Sequence, residues 1–282
     1  MAAYGLIGHP LGHSVSPQIH QQLFSLEGLS CPYELYDLPA ETFAEGFPAE
    51  LEALDGFNIT LPFKEKILPY LETLHESAAF YGSANTVLRQ KDGTRIGFNT
   101  DCDGFLRTLE SRQIPISGSV CILGAGGVGR MFALECLRQG AKTAVAVRET
   151  GLSRAKQLAQ EAREKCGKPL EILDIGTLSG PFDLLINATP VGMYPNIQQC
   201  PISETVITQC KAVFDCIYNP GETLLLQAAK KAGAQVAGGM DMLVWQAVSA
   251  HHYWNGTAFS NHAVQKIISE TAETVRMQFG GE

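Results

Sequence analysis

Several features that mark particular classes of protein are missing from this sequence of 282 residues. No apolar run approaches the length of a transmembrane helix, and the N-terminal residues lack the basic region and long apolar core of a signal peptide. The net charge of −8 offers no basic surface for nucleic acid or for an anionic membrane. We therefore expect neither partner, and an anionic ligand must be held by a local site.

Patterns of metal and disulfide sites are missing as well. The 8 cysteines are scattered without a C-x-x-C pair and the 7 histidines are dispersed, so we expect no metal site. Cys121, Cys136 and Cys216 lie within apolar segments, where a free thiol behaves as a small hydrophobic group. This cysteine usage is typical of the reducing cytoplasm, which is the location we expect. No internal repeat is visible, which excludes repeat architectures.

The order of predicted elements indicates an α/β fold with two domains. With 45% hydrophobic and 18% charged residues, the chain has the composition of a soluble globular protein. A first α/β domain for the substrate is predicted over 1–105, and a Rossmann-type domain for a dinucleotide over 106–238. We expect the helices of 239–282 to pack back on the substrate domain and complete it.

A glycine motif gives the strongest local signal. The apolar run Val120–Leu123 predicts a buried strand, and a helical pattern follows the glycines. Between them the sequence reads G-x-G-x-x-G, which predicts a dinucleotide site at Gly124, Ala125, Gly126, Gly127 and Val128. The glycines permit a tight turn and a close approach of the pyrophosphate to the helix N-terminus. The alternative is a tight strand–helix turn without a ligand.

The residues after the next predicted strand bear on the choice of cofactor. That strand ends at Val147 and is followed by Arg148, where an NAD site would carry an acidic residue for the ribose. Arg148 and Arg154 favour the 2′-phosphate of NADP, whereas Glu149 argues in the opposite direction.

Polar residues follow several predicted strands of the first domain: Ser14, Ser16, Thr60, Lys64, Asn85 and Asp101. Ser16 is expected to cap a helix that begins at Pro17, with Leu26 on its inner face, whereas Ser14 has no such duty. Two hydroxyls beside a helix start suit a small anion such as a carboxylate. Lys64 is open to two interpretations, a solvated surface lysine or a group with a chemical role.

Further local predictions concern the secondary structure of the first domain. The pattern predicts one helix over 40–54, interrupted near Pro48, and another over 64–71. The Asp92-Gly93 turn predicts a hairpin. For Thr100 and Asp101, one interpretation is that either is no more than the cap of the helix that follows.

Motifs along nearly the whole chain resemble those of the shikimate dehydrogenase family. They are Gly8-x-Pro10-x-x-His13-Ser14-x-Ser16-Pro17-x-x-His20, Asn58-Ile59-Thr60-x-Pro62-x-Lys64, Ala84-Asn85-Thr86, Gly97-Phe98-Asn99-Thr100-Asp101-x-x-Gly104, Gly124-Ala125-Gly126-Gly127, Asn187-Ala188-Thr189-Pro190-x-Gly192-Met193, Asp215-x-x-Tyr218 with Thr223-Leu224-Leu225, and Met242-Leu243-Val244-x-Gln246-Ala247. They occur in the order in which the family has them. The set is far more specific than any one motif.

The resemblance implies reversible reduction of 3-dehydroshikimate to shikimate by NADPH, in the chorismate and aromatic amino-acid pathway. It implies that Ser14 and Ser16 bind the substrate carboxylate, with Thr60 and Tyr218 nearby. It assigns the ring hydroxyls and the reacting C3 oxygen to Lys64, Asn85, Asp101 and Gln246, and the nicotinamide to the backbone of Gly239. A monomer or a homodimer is expected.

The chain departs from the family pattern at two places. Val147-Arg148-Glu149 replaces the usual Asn-Arg-Thr, and Asp241 stands where glycine is common. One alternative is therefore a quinate/shikimate dehydrogenase that uses NAD, and another is a catalytically silent nucleotide-binding sensor. The presence of both Lys64 and Asp101 argues against the sensor, because hydride transfer to a ketone needs a proton at the developing oxyanion. Which of the two carries that proton is left open.

Overall fold

The computed structural model describes residues 2–12, 14–44 and 46–279, so His13 of the first motif lies outside the described residues. The chain folds as two compact units. The first contains the chain up to Gly104 together with Val244–Thr271, and the second contains Phe105–Leu243 together with the chain from Ala272 onward. No helix in the described ranges is both long and apolar enough to cross a membrane.

The first unit is built around a mixed sheet. Its strands are β1 (Tyr4–Gly8), β2 (Tyr33–Asp37), β3 (Gly56–Ile59), β4 (Thr73–Leu74), β5 (Thr86–Arg89) and β6 (Arg95–Phe98), in the order β2-β1-β3-β5-β6-β4. β1 and β3 are parallel, and β5 runs antiparallel to β3 and β6. Thr86 pairs with Asn58 and with Phe98, so the ends of β3 and β6 meet the start of β5 at one edge of the sheet.

Three helices belong to the N-terminal segments: α1 (Ser16–Leu26), α2 (Glu76–Tyr81) and the longer α3 (Thr100–Ser111). The helix predicted over 40–54 is wrong, because the described residues of that region form two separate 3₁₀ turns, Thr42–Ala44 and Ala49–Leu51. The helix predicted over 64–71 is also wrong, since turns and a short 3₁₀ segment occupy it. Leu26 is 54% exposed rather than on the inner face of α1, where His20 is buried instead.

The second unit contains a parallel sheet. Its strands are β7 (Ser119–Leu123), β8 (Lys142–Val147), β9 (Glu171–Asp174), β10 (Phe182–Asn187), β11 (Cys210–Asp215) and β12 (Gln235–Gly238), and its helices include α4 (Gly127–Arg138), α5 (Leu152–Cys166), α6 (Glu204–Ile207) and α7 (Leu224–Lys231). The order β12-β11-β10-β7-β8-β9 is that of a doubly wound dinucleotide fold. In such a sheet a ligand binds where the strand order reverses, which here lies between β7 and β10.

Aromatic side chains fill part of the core of the second unit. The Phe105 ring lies 4.5 Å from Phe132 of α4 and 5.3 Å from Phe214 of β11, measured between ring centroids. All three side chains are fully buried, and burying one such ring stabilises the fold by about 1.5–3 kcal/mol. Packing of this kind, more than helix propensity, holds α4 in place behind the glycine turn.

Two long helices end the chain, α8 (Gly239–Asn255) and α9 (Asn261–Phe279). Trp254 of α8 packs on the sheet of the first unit, where its indole N–H donates to the carbonyl oxygen of Val87 at 2.9 Å. A Cβ on Gly56 would lie 2.5 Å from the indole nitrogen, so glycine permits this close packing. The expected α/β fold class is confirmed.

Candidate active site

A lysine–carboxylate pair lies at the carboxyl-end edge of the first sheet. Lys64 follows β3, and Asp101 is the second residue of α3. Lys64 Nζ donates to Asp101 Oδ2 at 2.6 Å, with the two side chains 27% and 13% exposed. The backbone of Lys64 is held as well, because its carbonyl oxygen accepts from the amide of Ala84 at 2.8 Å. The ion pair is therefore short, fixed and still open to a ligand.

Asn85 holds the carboxylate of this pair from the other side. Its amide nitrogen donates to Asp101 Oδ1 at 2.9 Å and to Gln246 Oε1 at 3.1 Å. Its side-chain carbonyl oxygen accepts from the backbone amide of Thr100 at 2.7 Å, which fixes the orientation of the amide group. Four of the predicted site residues, Lys64, Asn85, Asp101 and Gln246, thus form one hydrogen-bond network.

The start of α3 is capped by neither Thr100 nor Asp101, which rules out the interpretation of either residue as a mere cap. The amide of Thr100 is satisfied by Asn85, and the amide of Asp101 donates to Asn99 Oδ1 at 3.2 Å. Because the first two amides of the helix donate to two asparagines, the carboxylate of Asp101 does not serve as the cap. It is therefore available to Lys64.

Sequence reasoning missed a buried polar layer behind Asn85. The hydroxyl of Thr86 lies 3.1 Å from that of Thr100 and accepts from Asn58 Nδ2 at 2.9 Å. Asn58 Oδ1 in turn accepts from the hydroxyl of Tyr33 at 2.8 Å. Tyr33, Asn58 and Thr86 lie on β2, β3 and β5, so these hydrogen bonds connect the three strands. Asn58, Thr86 and Thr100 belong to the family motifs, whereas Tyr33 does not. Such a layer makes the geometry of the pair rigid.

The two serines exchange the roles expected of them. Ser16 is inside α1, the helix is preceded by Val15, and no side chain at that cap position accepts a hydrogen bond. Instead Ser14 Oγ accepts from the amide of Ser16 at 3.3 Å. Among the described residues, no hydrogen bond links Ser14, Ser16 or the Thr60 hydroxyl to the Lys64 network, so the structure does not bring these three into it.

A buried histidine pair fastens α1 to α8 within the first unit. His20 Nδ1 lies 3.0 Å from His251 Nε2, and His251 Nδ1 lies 3.0 Å from Glu27 Oε2. Burial, followed by the neighbouring His251, lowers the pKa of His20 well below its ordinary value. Burial acts to raise the pKa of Glu27, yet its hydrogen bonds, the one from His251 foremost, leave it lowered. These contacts hold the helices that carry Ser16 and Gln246.

The glycine turn of the second unit has the geometry of a dinucleotide site. Gly124 follows β7 with a φ of +96°, which an L side chain rarely adopts. A Cβ on Gly129 would lie 2.3 Å from the carbonyl oxygen of Gly124, so this glycine brings α4 against the turn. A Cβ on Gly126, the residue that precedes α4, would meet nothing within 4 Å. The space and the helix N-terminus fit a pyrophosphate.

Two arginines are available near the end of β8. Arg148 follows β8 directly and Arg154 lies in the first turn of α5, and both are exposed. Neither forms an ion pair within the described part of the chain, whereas Arg130 is held by Glu161 on α5. Glu149 begins a short 3₁₀ turn beside Arg148 and is also exposed. The guanidinium groups of Arg148 and Arg154 can thus bind a phosphate, as the prediction requires.

Gly239 and Tyr218 belong to one turn system of the second unit. Helix α8 begins at Gly239, three residues before the predicted Met242, and the Gly239 amide donates to the carbonyl oxygen of Ile217 at 3.2 Å. A Cβ on Gly239 would lie 2.1 Å from the carbonyl oxygen of Cys216, so only glycine fits. Burial raises the pKa of Tyr218, and its hydroxyl has no partner among the described residues.

Asp241, which departs from the family pattern, is neutralised by an arginine. Arg112 Nη2 lies 2.6 Å from Asp241 Oδ2, and Arg112 Nε donates to the same oxygen at 2.8 Å. The Asp241 side chain is only 7% exposed. Its negative charge in the first turn of α8 is therefore compensated by a cation and by the helix N-terminus.

Comparisons with known proteins agree with this geometry. The model of the shikimate dehydrogenase substrate binding domain matches residues 6–87. A shikimate dehydrogenase (NADP(+)) of Carboxydothermus hydrogenoformans is 36% identical over 94% of this chain and 95% of its own length. This chain belongs to the shikimate dehydrogenase family.

Solved structures of the shikimate dehydrogenase family are similar to this chain over nearly its whole length. The shikimate 5-dehydrogenase of Thermus thermophilus, solved with NADP(H) and shikimate, is 33% identical with a TM-score of 0.83 and covers 96% of this chain and 99% of that one. The quinate dehydrogenase of Corynebacterium glutamicum, solved with NAD, is 29% identical with a TM-score of 0.84 and covers the same shares, 96% and 99%. The fold therefore accommodates either of two substrates and either of two cofactors.

Proposed function

We propose that this protein is an NADP-dependent oxidoreductase that reversibly reduces 3-dehydroshikimate to shikimate in the chorismate pathway. The observation that carries the proposal is the Lys64–Asp101 pair, held at 2.6 Å and oriented by Asn85. The curated relative at 36% identity carries the same activity in its name.

The residues of the pair act where charge develops during the reaction. The ketone carbon of the substrate would accept the hydride that NADPH supplies when it is bound. Lys64 donates a hydrogen bond to the ketone oxygen, on which negative charge accumulates, and the Lys64–Asp101 pair delivers the proton that this oxygen gains. In the reverse direction the pair accepts the proton of the C3 hydroxyl. The short contact to Asp101 keeps the ammonium group aimed at the reacting oxygen.

Asn85 and Gln246 have different parts in the proposed site. Both hydrogens of the Asn85 amide are already used, one by Asp101 and one by Gln246. Asn85 therefore acts by fixing its two neighbours. The Gln246 oxygen accepts from Asn85, which leaves its own amide nitrogen to donate to a ring hydroxyl.

Ser14 and Ser16 are proposed to bind the substrate carboxylate, and Thr60 and Tyr218 are proposed as further substrate-binding residues. The hydroxyls of Ser16 and Tyr218 support this, because neither is used by a partner among the described residues. The glycine turn at Gly124, Ala125, Gly126, Gly127 and Val128 would hold the pyrophosphate, and Gly239 would meet the nicotinamide. Arg148 and Arg154 would bind the 2′-phosphate.

A quinate/shikimate dehydrogenase that uses NAD is the second candidate, favoured by the quinate dehydrogenase of similar fold and by Glu149. One assay separates the two: initial rates with shikimate and quinate, each paired with NADP and NAD. The proposal expects the highest kcat/KM for shikimate with NADP. A higher kcat/KM for quinate with NAD would replace it with the second candidate.

The remaining expectations belong to the same proposal. They are a cytoplasmic location, supported by the cysteine usage, a monomer or homodimer, and domain boundaries at 1–105, 106–238 and 239–282.

A further inference from the structure

Asp215, to which no role has been assigned so far, ends β11 with a fully buried carboxylate. Three groups donate to it: Thr223 Oγ1 to Oδ2 at 2.7 Å, and Asn187 Nδ2 and the Ile217 amide to Oδ1 at 3.0 and 3.1 Å. No cation pairs with it in the described part of the chain. A buried carboxylate without a cation is costly, so its presence calls for a function that a neutral side chain would not serve.

The three donors stand on three separate segments. Asn187 ends β10, Ile217 lies in the turn after β11, and Thr223 caps α7. A carboxylate accepts at both oxygens and cannot present a donor by flipping, as an amide can. Asp215 therefore fixes all three segments in a single arrangement.

Two of these segments lead to proposed ligand contacts. The carbonyl oxygen of Ile217 accepts from the Gly239 amide at 3.2 Å, and Tyr218 is the next residue in the turn. On the other side, Asn187 Oδ1 accepts from the amide and the hydroxyl of Thr189 at 3.0 and 2.7 Å. Thr189 borders the glycine turn, since a Cβ on Gly124 would lie 3.0 Å from its methyl group.

We infer that Asp215 is a positioning residue: its carboxylate fixes the turn Cys216–Tyr218 and, through Ile217, the start of α8 at Gly239, where the nicotinamide half of the cofactor would lie. The inference rests on the proposed function for the identity of that ligand. The adenosine half would contact Arg148 instead, which follows β8 and has no hydrogen bond to the Asp215 network among the described residues, so binding of the two halves of the cofactor depends on different residues.

The test uses Asp215→Asn, with Asp183→Asn as the matched control. Asp183 lies near the opposite end of the same sheet, where it accepts from the Ser119 amide at 2.8 Å and pairs with Lys211. Dissociation constants are measured by calorimetry for NADP and for adenosine 2′,5′-bisphosphate, which represents the adenosine half alone. Steady-state rates with shikimate and thermal unfolding are recorded for each variant.

Asp215→Asn is expected to raise the dissociation constant for NADP about tenfold. It should lower kcat/KM for shikimate about ten- to a hundredfold, as for one lost charge-assisted bond. Binding of the bisphosphate should stay within about twofold of wild type, and Asp183→Asn should change neither ligand. An equal loss of affinity for NADP and for the bisphosphate, or no change in either affinity, would overturn the inference.

Two further arms keep the test decisive. If Asp215→Asn does not fold, two variants of Thr223 replace it in the test. Thr223→Val removes the donor to Asp215 Oδ2, and Thr223→Ser keeps it. The same selective loss of NADP in the valine variant, with the serine variant near wild type, supports the inference, and its absence overturns it. If wild type binds both ligands but does not turn over shikimate, the proposed function fails while the comparison of the two ligands still tests Asp215.

Discussion

Asp101 is held through both of its carboxylate oxygens, by Lys64 at 2.6 Å on one and by Asn85 at 2.9 Å on the other. A carboxylate gripped in this way cannot rotate without breaking one of the two bonds. Asn85 therefore orients the carboxylate of Asp101, and Asp101 in turn orients the ammonium group of Lys64. Removing Asp101 leaves the ammonium group of Lys64 without this partner, whereas removing Lys64 leaves Asp101 held by Asn85 alone.

The pair should accordingly behave as one unit in kinetics. Lys64→Ala is expected to lower kcat by roughly 10²–10⁴-fold, the range for a lost acid–base group. Asp101→Asn should also lower kcat, and the double variant should lose less than the product of the two factors. Initial rates with saturating shikimate and NADP measure all three. Losses that multiply strictly would mean that the two residues act independently.

Lys66→Ala is the control for this experiment. Lys66 is an exposed lysine two positions away, and its ammonium donates to the backbone carbonyl of Ala40 at 2.6 Å. Because it has no contact with Asp101, its removal should leave kcat within about twofold of wild type. A comparable loss of kcat would show that the effect of Lys64→Ala comes from a general change in the loop.

The exchanged roles of Ser14 and Ser16 give a second prediction. Ser16→Ala removes a hydroxyl without a partner among the described residues, so KM for shikimate should rise about ten- to a hundredfold at unchanged stability. Ser14→Ala removes the acceptor of the Ser16 amide as well, so it should also destabilise the protein by about 0.5–2 kcal/mol. KM and the melting temperature distinguish the two variants. An unchanged KM in both would refute the assignment of the carboxylate site.

Patterns with a strict backbone requirement were predictable from the sequence. The turn at Gly124 needs a positive φ, and the strand–turn–helix around it follows from glycine spacing and an apolar run alone. The hairpin at Asp92-Gly93 is similar, with the antiparallel strands β5 and β6 on either side of the turn. In both cases the local sequence permits few alternatives.

Segments governed by packing were not predictable in the same way. Residues 64–71 have the apolar spacing of a helix. In the structure they form turns, and this conformation lets Phe63 and Ile67 be fully buried in the same core. The cap of α3 escaped prediction because one of its acceptors, Asn85, comes from a different segment of the chain. In the network around Asp215, Asn187 stands 28 positions away in the sequence, and only the fold brings these two residues together.

Asp215 also predicts how stability changes with pH. Burial raises its pKa to about 6 from an ordinary value of 3.8, so between these values the folded protein holds a proton that the unfolded chain has released. The contribution of Asp215 to the free energy of unfolding is therefore present at low pH and is lost as the pH rises through about 6. The loss amounts to up to about 3 kcal/mol. The titratable neighbours Cys200, Cys216 and Tyr218 have raised pKa values and stay neutral in this range.

Chemical unfolding of wild type and Asp215→Asn at pH 4 and pH 7 measures this effect. The advantage of wild type over the variant should shrink by up to about 3 kcal/mol between the two pH values, because the asparagine has no proton to lose. A difference between the proteins that is independent of pH would show that the pKa of Asp215 is the same in the folded and unfolded states.

The last prediction concerns Arg148 and the choice between NADP and NAD. Arg148 is exposed at the end of β8 and free of ion pairs within the described residues, so its guanidinium can bind a 2′-phosphate with two hydrogen bonds. Arg148→Ala should raise KM for NADP about ten- to a hundredfold and leave KM for NAD nearly unchanged. Glu149→Thr should sharpen the preference for NADP, because it removes a negative charge beside the phosphate. Arg163→Ala, an exposed arginine in the last turn of α5, is the matched control and should affect neither cofactor. The measurement is kcat/KM for both cofactors in the four proteins. If wild type prefers NAD and Arg148→Ala changes neither value, Arg148 is a solvated surface residue and Glu149 decides the specificity in favour of the ribose hydroxyl.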